Sequence, residues 1–246
     1  ASTEEAQENV GIEIAEAITN RLLRGEVINA VNMPNLDEST LKLIGPYLSL
    51  SEVLGKLVSQ IAPKQADRFR IEYVGKVSEV DTTLVTRSAL KGFLETGSTS
   101  GSANYLNATA LAEGRGIRVT ESRPAEACEF TDLITVTVGN DKEKTTVAGT
   151  FFGSQPRIMK IQEHNIDATP EGNLLIFANT DAPGVVGAIG RVLGEEGINI
   201  ANMSLSRNKV GGEALSILNV DSIIDDETLG KIGAIPGIRR ASTVVL

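Results

Sequence analysis

The sequence predicts an α+β chain: an N-terminal helix, a mixed α/β middle segment, and a C-terminal unit in which strands and helices follow the order βαββαβ. Three patterns carry this. Apolar residues recur at helical spacing from Val10 to Leu22. Helical spacing and strict alternation then take turns between residues 49 and 161. From Leu174 onward, short apolar runs alternate with two helical stretches, and Gly or Pro-Gly turns punctuate them.

Ser2 and Glu5 have capping-box spacing, so a helix is expected to start at once and to stop at Gly25. Val10, Ile14, Ala17, Ile18 and Leu22 form its apolar stripe, which needs a partner because a lone helix is not a core. Residues 29–35 read as an extended linker, with Pro34 pushing Met33 out of helical space. The middle segment opens with a helix capped by Ser49 or Ser51 and ended by Pro63. Phe69, Ile71 and Tyr73 alternate as a half-buried strand, and Leu84 to Leu94 is a second helix. A Gly/Ser loop at 97–102, a short helix over 104–112 and a strand at Ile117 and Val119 follow. Leu133 to Val138 and Thr146 to Phe152 form a hairpin about residues 139–142, and Arg157 to Ile161 is a further strand.

The last unit is the most regular. Leu174 to Ala178 is a buried strand, and Asp181-Ala182-Pro183-Gly184 is a turn opening a helix with Val185, Ile189, Val192 and Leu193 on one face. The second strand carries Ile198, Ile200, Met203 and Leu205. A loop at 208–212 leads to a third strand, Ala214 to Val220. Asp225 or Asp226 starts the second helix, Pro236-Gly237 breaks it, and Ile238 to Leu246 is the fourth strand. This order implies a ferredoxin-like split sheet with both helices on one face. The expected domains are 1–34, 35–168 and 169–246.

Composition limits the partners. The chain has 246 residues, 23 Lys and Arg against 32 Asp and Glu, a net charge of −9, 4% aromatics and no Trp. No basic stripe interleaved with aromatics is present, so a nucleic-acid partner is not expected. No apolar run approaches the roughly 20 residues of a membrane span, and no secretory signal opens the chain, so a cytoplasmic protein is expected. Cys128 and His164 are the only residues of their types, which excludes an intrachain disulfide and a Cys/His zinc cage. Gly114-Arg115-Gly116 lacks the third glycine of a dinucleotide fingerprint and precedes a strand. Gly184, Gly187 and Gly190 are expected to serve close helix–sheet packing. The start at Ala1, with no Met, suggests a piece of a longer polypeptide.

The Asn179-x-Asp181-x-Pro183-Gly184 turn resembles the first loop of an ACT domain, a small βαββαβ module that binds amino acids beside metabolic enzymes. Gly197-Ile198-Asn199-Ile200 is similar to the family's second signature, and Pro236-Gly237-Ile238 fits the turn before its last strand. An amino-acid ligand needs an acceptor for its ammonium, and free amides at a helix N-terminus suit its carboxylate. Asp181 can take the ammonium, and Asn179 and Asn199 can bond either end. Each also has a structural reading: Asp181 as a helix cap, Asn199 as a turn residue and Asn179 as a loop polar group.

The resemblance extends along the chain. Residues 1–7, with Asn29-Ala30-Val31-Asn32, are similar to the end of the catalytic part of D-3-phosphoglycerate dehydrogenases. Thr86 to Gly92, Asn107-Ala108, Gly116-Ile117 and Gly149 to Gln155 look like the intervening domain of the long form of that family. The resemblance implies an NAD-dependent parent enzyme of serine synthesis. This chain would be its regulatory and oligomerisation portion, lacking the nucleotide domain and catalytic histidine and inactive alone. It implies L-serine as effector at an interface between two ACT domains, contacted by Asn179, Asp181 and Asn199. It further implies a phosphorylated hydroxy or oxo acid at the intervening domain, with Arg87, Lys91, Arg157 and Lys160 as candidate anion ligands, each of which also reads as an ordinary solvated cation. A homo-oligomer, dimer or tetramer, is expected. Only Ala1 and Ser2 would approach the parent's NAD. The alternatives are a regulatory subunit of an iron–sulfur L-serine dehydratase, whose cluster one cysteine cannot hold, and a stand-alone amino-acid-binding module.

Overall fold

A computed structural model describes residues 3–24, 38–95, 103–124 and 130–246. The chain divides into two compact units, 1–43 and 44–246. In the first, α1 (Glu4–Arg24) is a 21-residue helix. Its predicted apolar stripe is exposed: Ile18 is 55% and Leu22 79% accessible. The predicted stop at Gly25 and the linker over 29–35 lie outside the described residues, as do Ser2, the 97–102 loop and Cys128.

Helix α2 (Glu38–Ile61) corrects the expected start at Ser49 or Ser51, both of which lie in its interior. It runs through Pro46. A proline there removes one helical hydrogen bond. Burial at helical spacing continues across it through Ile44, Leu50, Leu54, Leu57, Val58 and Ile61, and that packing outweighs the loss.

The second unit next builds β1 (Arg68–Gly75), α3 (Thr83–Glu95), α4 (Ala108–Gly114), β2 (Arg118–Ser122), β3 (Asp132–Gly139), β4 (Lys144–Phe152), β5 (Gln155–Ile161) and β6 (His164–Ala168). Its six-stranded sheet has the order β2-β1-β3-β4-β5-β6. Only the β1–β2 pair is parallel. Strand β6 was not expected, because its polar residues hide a single inward pair, Ile166 and Ala168. One sheet face supplies Phe69, Ile71, Tyr73, Ile134, Val136 and Ile158 to a core shared with Leu54, Leu57, Val58 and Leu90 of α2 and α3. The two helices cross closely. A Cβ on Gly55 would lie 2.0 Å from the Ala89 carbonyl oxygen, and one on Gly92 2.1 Å from that of Glu52.

The remaining elements are β7 (Asn173–Thr180), α5 (Val185–Glu195), β8 (Ile200–Arg207), β9 (Glu213–Val220), α6 (Asp226–Gly233) and β10 (Ile238–Val245), in the expected βαββαβ order. All pairs of this sheet, β10-β7-β9-β8, are antiparallel. The Asp225 side chain accepts from the Thr228 N–H, so of the two candidate caps of α6, Asp225 and Asp226, it is Asp225. Leu175, Phe177 and Leu218 pack with Ile189, Leu193 and Ile232 on the helix-covered face. Leu174, Ile176, Leu215, Ile217 and Val244 face the other way and join the core of the first sheet. The expected role of the α5 glycines is corrected. A Cβ on Gly184, Gly187 or Gly190 would meet nothing within 4 Å, so these glycines are not close-packed against the sheet. The buried stripe of α5 is Val185, Ile189 and Leu193, and the glycines fall on its other sides.

The two sheets are tied together. The Gln60 side chain donates to the Val245 carbonyl and accepts the Val245 N–H, both at 3.0 Å, so its amide imitates a neighbouring strand. Arg240 donates to the Ile61 carbonyl, and Asn219 donates to the carbonyls of Thr169 and Glu171 in the connecting segment.

Candidate functional site

Strand β7 ends at the turn the sequence singles out. Leu175, Phe177 and Asn179 alternate onto the helix-covered face, so Asn179 is held near the N-terminal end of α5. Gly184, at φ 92°, makes the left-handed bend that starts α5. Asn179 is only 4% exposed. Its Nδ2 donates to the Thr180 carbonyl at 2.8 Å, but its Oδ1 has no hydrogen-bond partner. Ser216, opposite Phe177 on β9, shares that face, and its buried Oγ is also unpartnered. Two bare polar atoms therefore sit diagonally across one strand pair. Most buried polar groups are hydrogen-bonded, to protein, water or ligand, so each bare one calls for a partner.

Asp181 is partly exposed and already engaged. Its carboxylate accepts from Arg207 Nη1 at 2.9 Å and from the Gly211 N–H at 3.2 Å. The Arg207 hydrogen bond, then the Gly211 amide, hold it below the usual carboxylate range. Arg207 is a residue the sequence reading missed. It comes into place only through the β8–β9 register, which pairs Arg207 with Ala214 just across from Asn179.

Asn199 is elsewhere. Ile200 pairs with Val220, at the end of the sheet where β7 begins, and Asn199 Nδ2 donates to Asp221 Oδ2 at 2.8 Å. Seven strand residues, roughly 20 Å, separate it from Asn179 and Asp181. One copy of the chain does not bring the three predicted contacts together. Strand β8, which runs between these ends, is the edge of its sheet.

The four anion candidates are dispersed too. Lys91 lies on α3 with its Nζ 2.7 Å from Glu52 Oε1 and 5.5 Å from the Tyr105 ring centre. Burial raises the Glu52 carboxyl, but the bonds and charges of Lys91 and Lys56 win and hold it below the ordinary value. Arg87 is one turn earlier on the same helix. On β5, Arg157 binds Asp167 Oδ1 at 2.6 Å and Thr169 Oγ1 at 2.8 Å, pinning the connection between the sheets. Lys160 instead lines a groove of about 940 Å³ on the open face of the six-stranded sheet, with Arg70, Lys144 and the hydroxyls of Thr135, Thr137 and Thr146. Arg70 is paired with Glu72, whereas Lys144 and Lys160 enter no ion pair among the described residues. Periodicity cannot find such a groove, because its residues come from five strands.

Ala1 and Ser2 lie outside the described residues. Among the described residues no group of three His, Cys, Asp or Glu could hold a metal ion, and no helix is long and apolar enough to cross a membrane.

Residues 43–162 match the family model of the D-3-phosphoglycerate dehydrogenase intervening domain, and residues 173–237 that of the ACT domain. The chain is 36% identical over 247 residues to a D-3-phosphoglycerate dehydrogenase of Methanocaldococcus jannaschii, covering 100% of this chain and 47% of that protein. One from Archaeoglobus fulgidus is 36% identical over 248 residues, with the same coverage. One from Bacillus subtilis is 33% identical over 241 residues, covering 97% of this chain and 45% of its own. The chain spans about half the length of these relatives.

Proposed function

From a chain that carries the intervening and ACT domains of the D-3-phosphoglycerate dehydrogenase family, we propose a regulatory and oligomerisation role in an NAD-dependent enzyme of that activity, with L-serine as effector. The catalytic steps would belong to the remainder of such an enzyme. The observation that carries the effector reading is the buried, unpartnered Asn179 Oδ1, near the end of β7, two residues before Asp181 and ahead of the turn that starts α5. A ligand ammonium would donate to Asn179 Oδ1 and to Asp181. Its carboxylate would meet Arg207 and the first amides of α5.

The distant Asn199 fits the same reading in a dimer. If two copies joined antiparallel along their β8 edges about a two-fold axis, the Asn199 end of one sheet would lie beside the Asp181 end of the other. Each effector would then be bound by both copies. It would shift the assembly only by its differential affinity for two arrangements of them. At the intervening domain, the groove around Lys144 and Lys160 is the better place for a phosphorylated hydroxy or oxo acid, because Lys91 and Arg157 already hold carboxylates.

Calorimetric titration with L-serine, against D-serine, tests the effector reading. Saturable L-selective binding is expected, lost in both Asp181→Ala and Asn199→Ala although the two residues lie far apart in one copy. Asn179→Leu should also abolish it while costing under about 1 kcal/mol of stability, since an apolar group replaces a half-satisfied buried one. Absence of binding in a folded, dimeric chain would overturn the reading. The pH dependence follows from the lowered Asp181 carboxyl. A depressed group keeps its contribution above its ordinary value and loses it as pH falls through the folded one. Serine affinity should therefore hold steady down to the ordinary carboxylate range and weaken only below it. Weakening already near neutrality would remove Asp181 from the site.

A further inference from the structure

A second cavity lies where the ACT sheet meets the first sheet. Its volume is about 330 Å³, at the small end of ligand sites. The walls are apolar and come from four elements: Ile61 at the end of α2, Ile161 on β5, and Ile176 and Ala178 of β7 with Leu215 of β9 on the open face of the ACT sheet. The rim is charged. Glu163 comes from the β5–β6 turn, His164 from the first position of β6, and Glu213 and Arg239 from the ACT strands. None of the four enters an ion pair among the described residues. The acidic and basic groups at its mouth contrast with Lys91 and Arg157 elsewhere in the chain, which are paired.

The turn that supplies Glu163 and leads into His164 is itself unusual. Gln162 has φ 55°, the only positive φ at a non-glycine residue among those described. Three hydrogen bonds hold it there: its N–H to the Thr146 carbonyl, and its Nε2 to the Lys144 carbonyl and to Thr145 Oγ1. A left-handed glutamine is costly and persists where the surroundings over-determine it, commonly at ligand sites. Here it turns the chain so that two titratable side chains face the pocket.

We propose that this junction cavity binds a small amphipathic zwitterion: a branched aliphatic body against the isoleucine floor, an ammonium beside Glu163 and Glu213, and a carboxylate beside Arg239. The site is separate from the serine site and does not depend on that reading. It does lie behind it. Ile176 and Ala178 face the cavity, whereas Phe177 and Asn179, alternating on the same strand, face the helices. An occupant would touch both sheets and the strand that carries Asn179.

Methyl NMR on the full chain, with L-leucine as probe, tests the proposal. Saturable shifts at the Ile61, Ile161 and Ile176 methyls are expected. Arg239→Ala and Glu163→Gln, both at the exposed rim, should each weaken binding roughly tenfold, the loss of one charged contact, with unchanged circular dichroism. 4-Methylpentanoate, which lacks the ammonium, and 3-methylbutylamine, which lacks the carboxylate, should each bind more weakly than L-leucine. No saturable shift at those methyls would overturn the site, as would shifts confined to Ile189 and Leu193 on the helix face. Equal binding by either single-charge analogue, or indifference to both rim variants, would overturn the zwitterion. L-serine in parallel keeps the two sites apart, since it should move the Ile189 side and leave Ile61 and Ile161 in place.

Discussion

At the α2–α3 crossing, added methyl groups on Gly55 or Gly92 would overlap backbone carbonyls at 2.0 and 2.1 Å; on α5, the same addition at Gly187, Gly190 or Gly194 would touch nothing within 4 Å. Both helices pack against a sheet, and both read as glycine-bearing amphipathic segments. In the first region glycine is a spacing element, letting two helical backbones approach until a side chain has no room. In the second an added Cβ would meet nothing among the described residues, and the helix packs through Val185, Ile189 and Leu193, with Val192 partly buried beside them. A glycine in a helical pattern thus does not announce whether it serves contact or leaves a face bare. That depends on the neighbouring backbone, which comes from elsewhere in the chain.

The comparison can be broken most directly at the crossing. Gly92→Ala should cost about 3 kcal/mol, since the obstacle is backbone on a second helix and cannot swing aside. Urea unfolding would measure it, and a cost below about 1 kcal/mol would mean that the two helices separate easily. On α5 the sign should reverse. Gly190→Ala should stabilise the chain by up to about 1 kcal/mol, the ordinary helix-propensity gain where nothing opposes a methyl group. A loss of stability there, read from the melting temperature at low protein concentration, would show that something in the folded chain does press on that face. The same variant compared at high concentration sharpens the point, because a face that another copy covers would lose its gain as the copies associate.

Much of this architecture can be read from the sequence, and the exceptions share a cause. The βαββαβ order, the Asp225 cap and the hairpin at residues 139–142 follow from local chemistry, because period and turn residues act within a few positions. Strand β6 escaped because an edge strand needs only one inward pair, and Ile166 with Ala168 is too short a signal to stand out among Glu163, His164, Asn165 and Asp167. The start of α2 escaped because Ser49 and Ser51 look like caps, whereas both lie mid-helix and Ser51 is fully buried with its Oγ unpartnered. The candidate effector site divides in the same way. The turn at Asn179 and Asp181 is contiguous and was visible. The Arg207 partner, the bare Ser216 hydroxyl and the separation of Asn199 depend on strand register and were not.

The core that runs between the sheets has a thermodynamic consequence. Leu174, Ile176, Leu215, Ile217 and Val244 belong to the same buried cluster as Phe69 and Ile158, so neither sheet can lose its packing without exposing the other's. Heat should therefore find no separate ACT transition. Residues 44–246 should melt in a single calorimetric step whose van't Hoff and calorimetric enthalpies agree, two domains by sequence acting as one cooperative body.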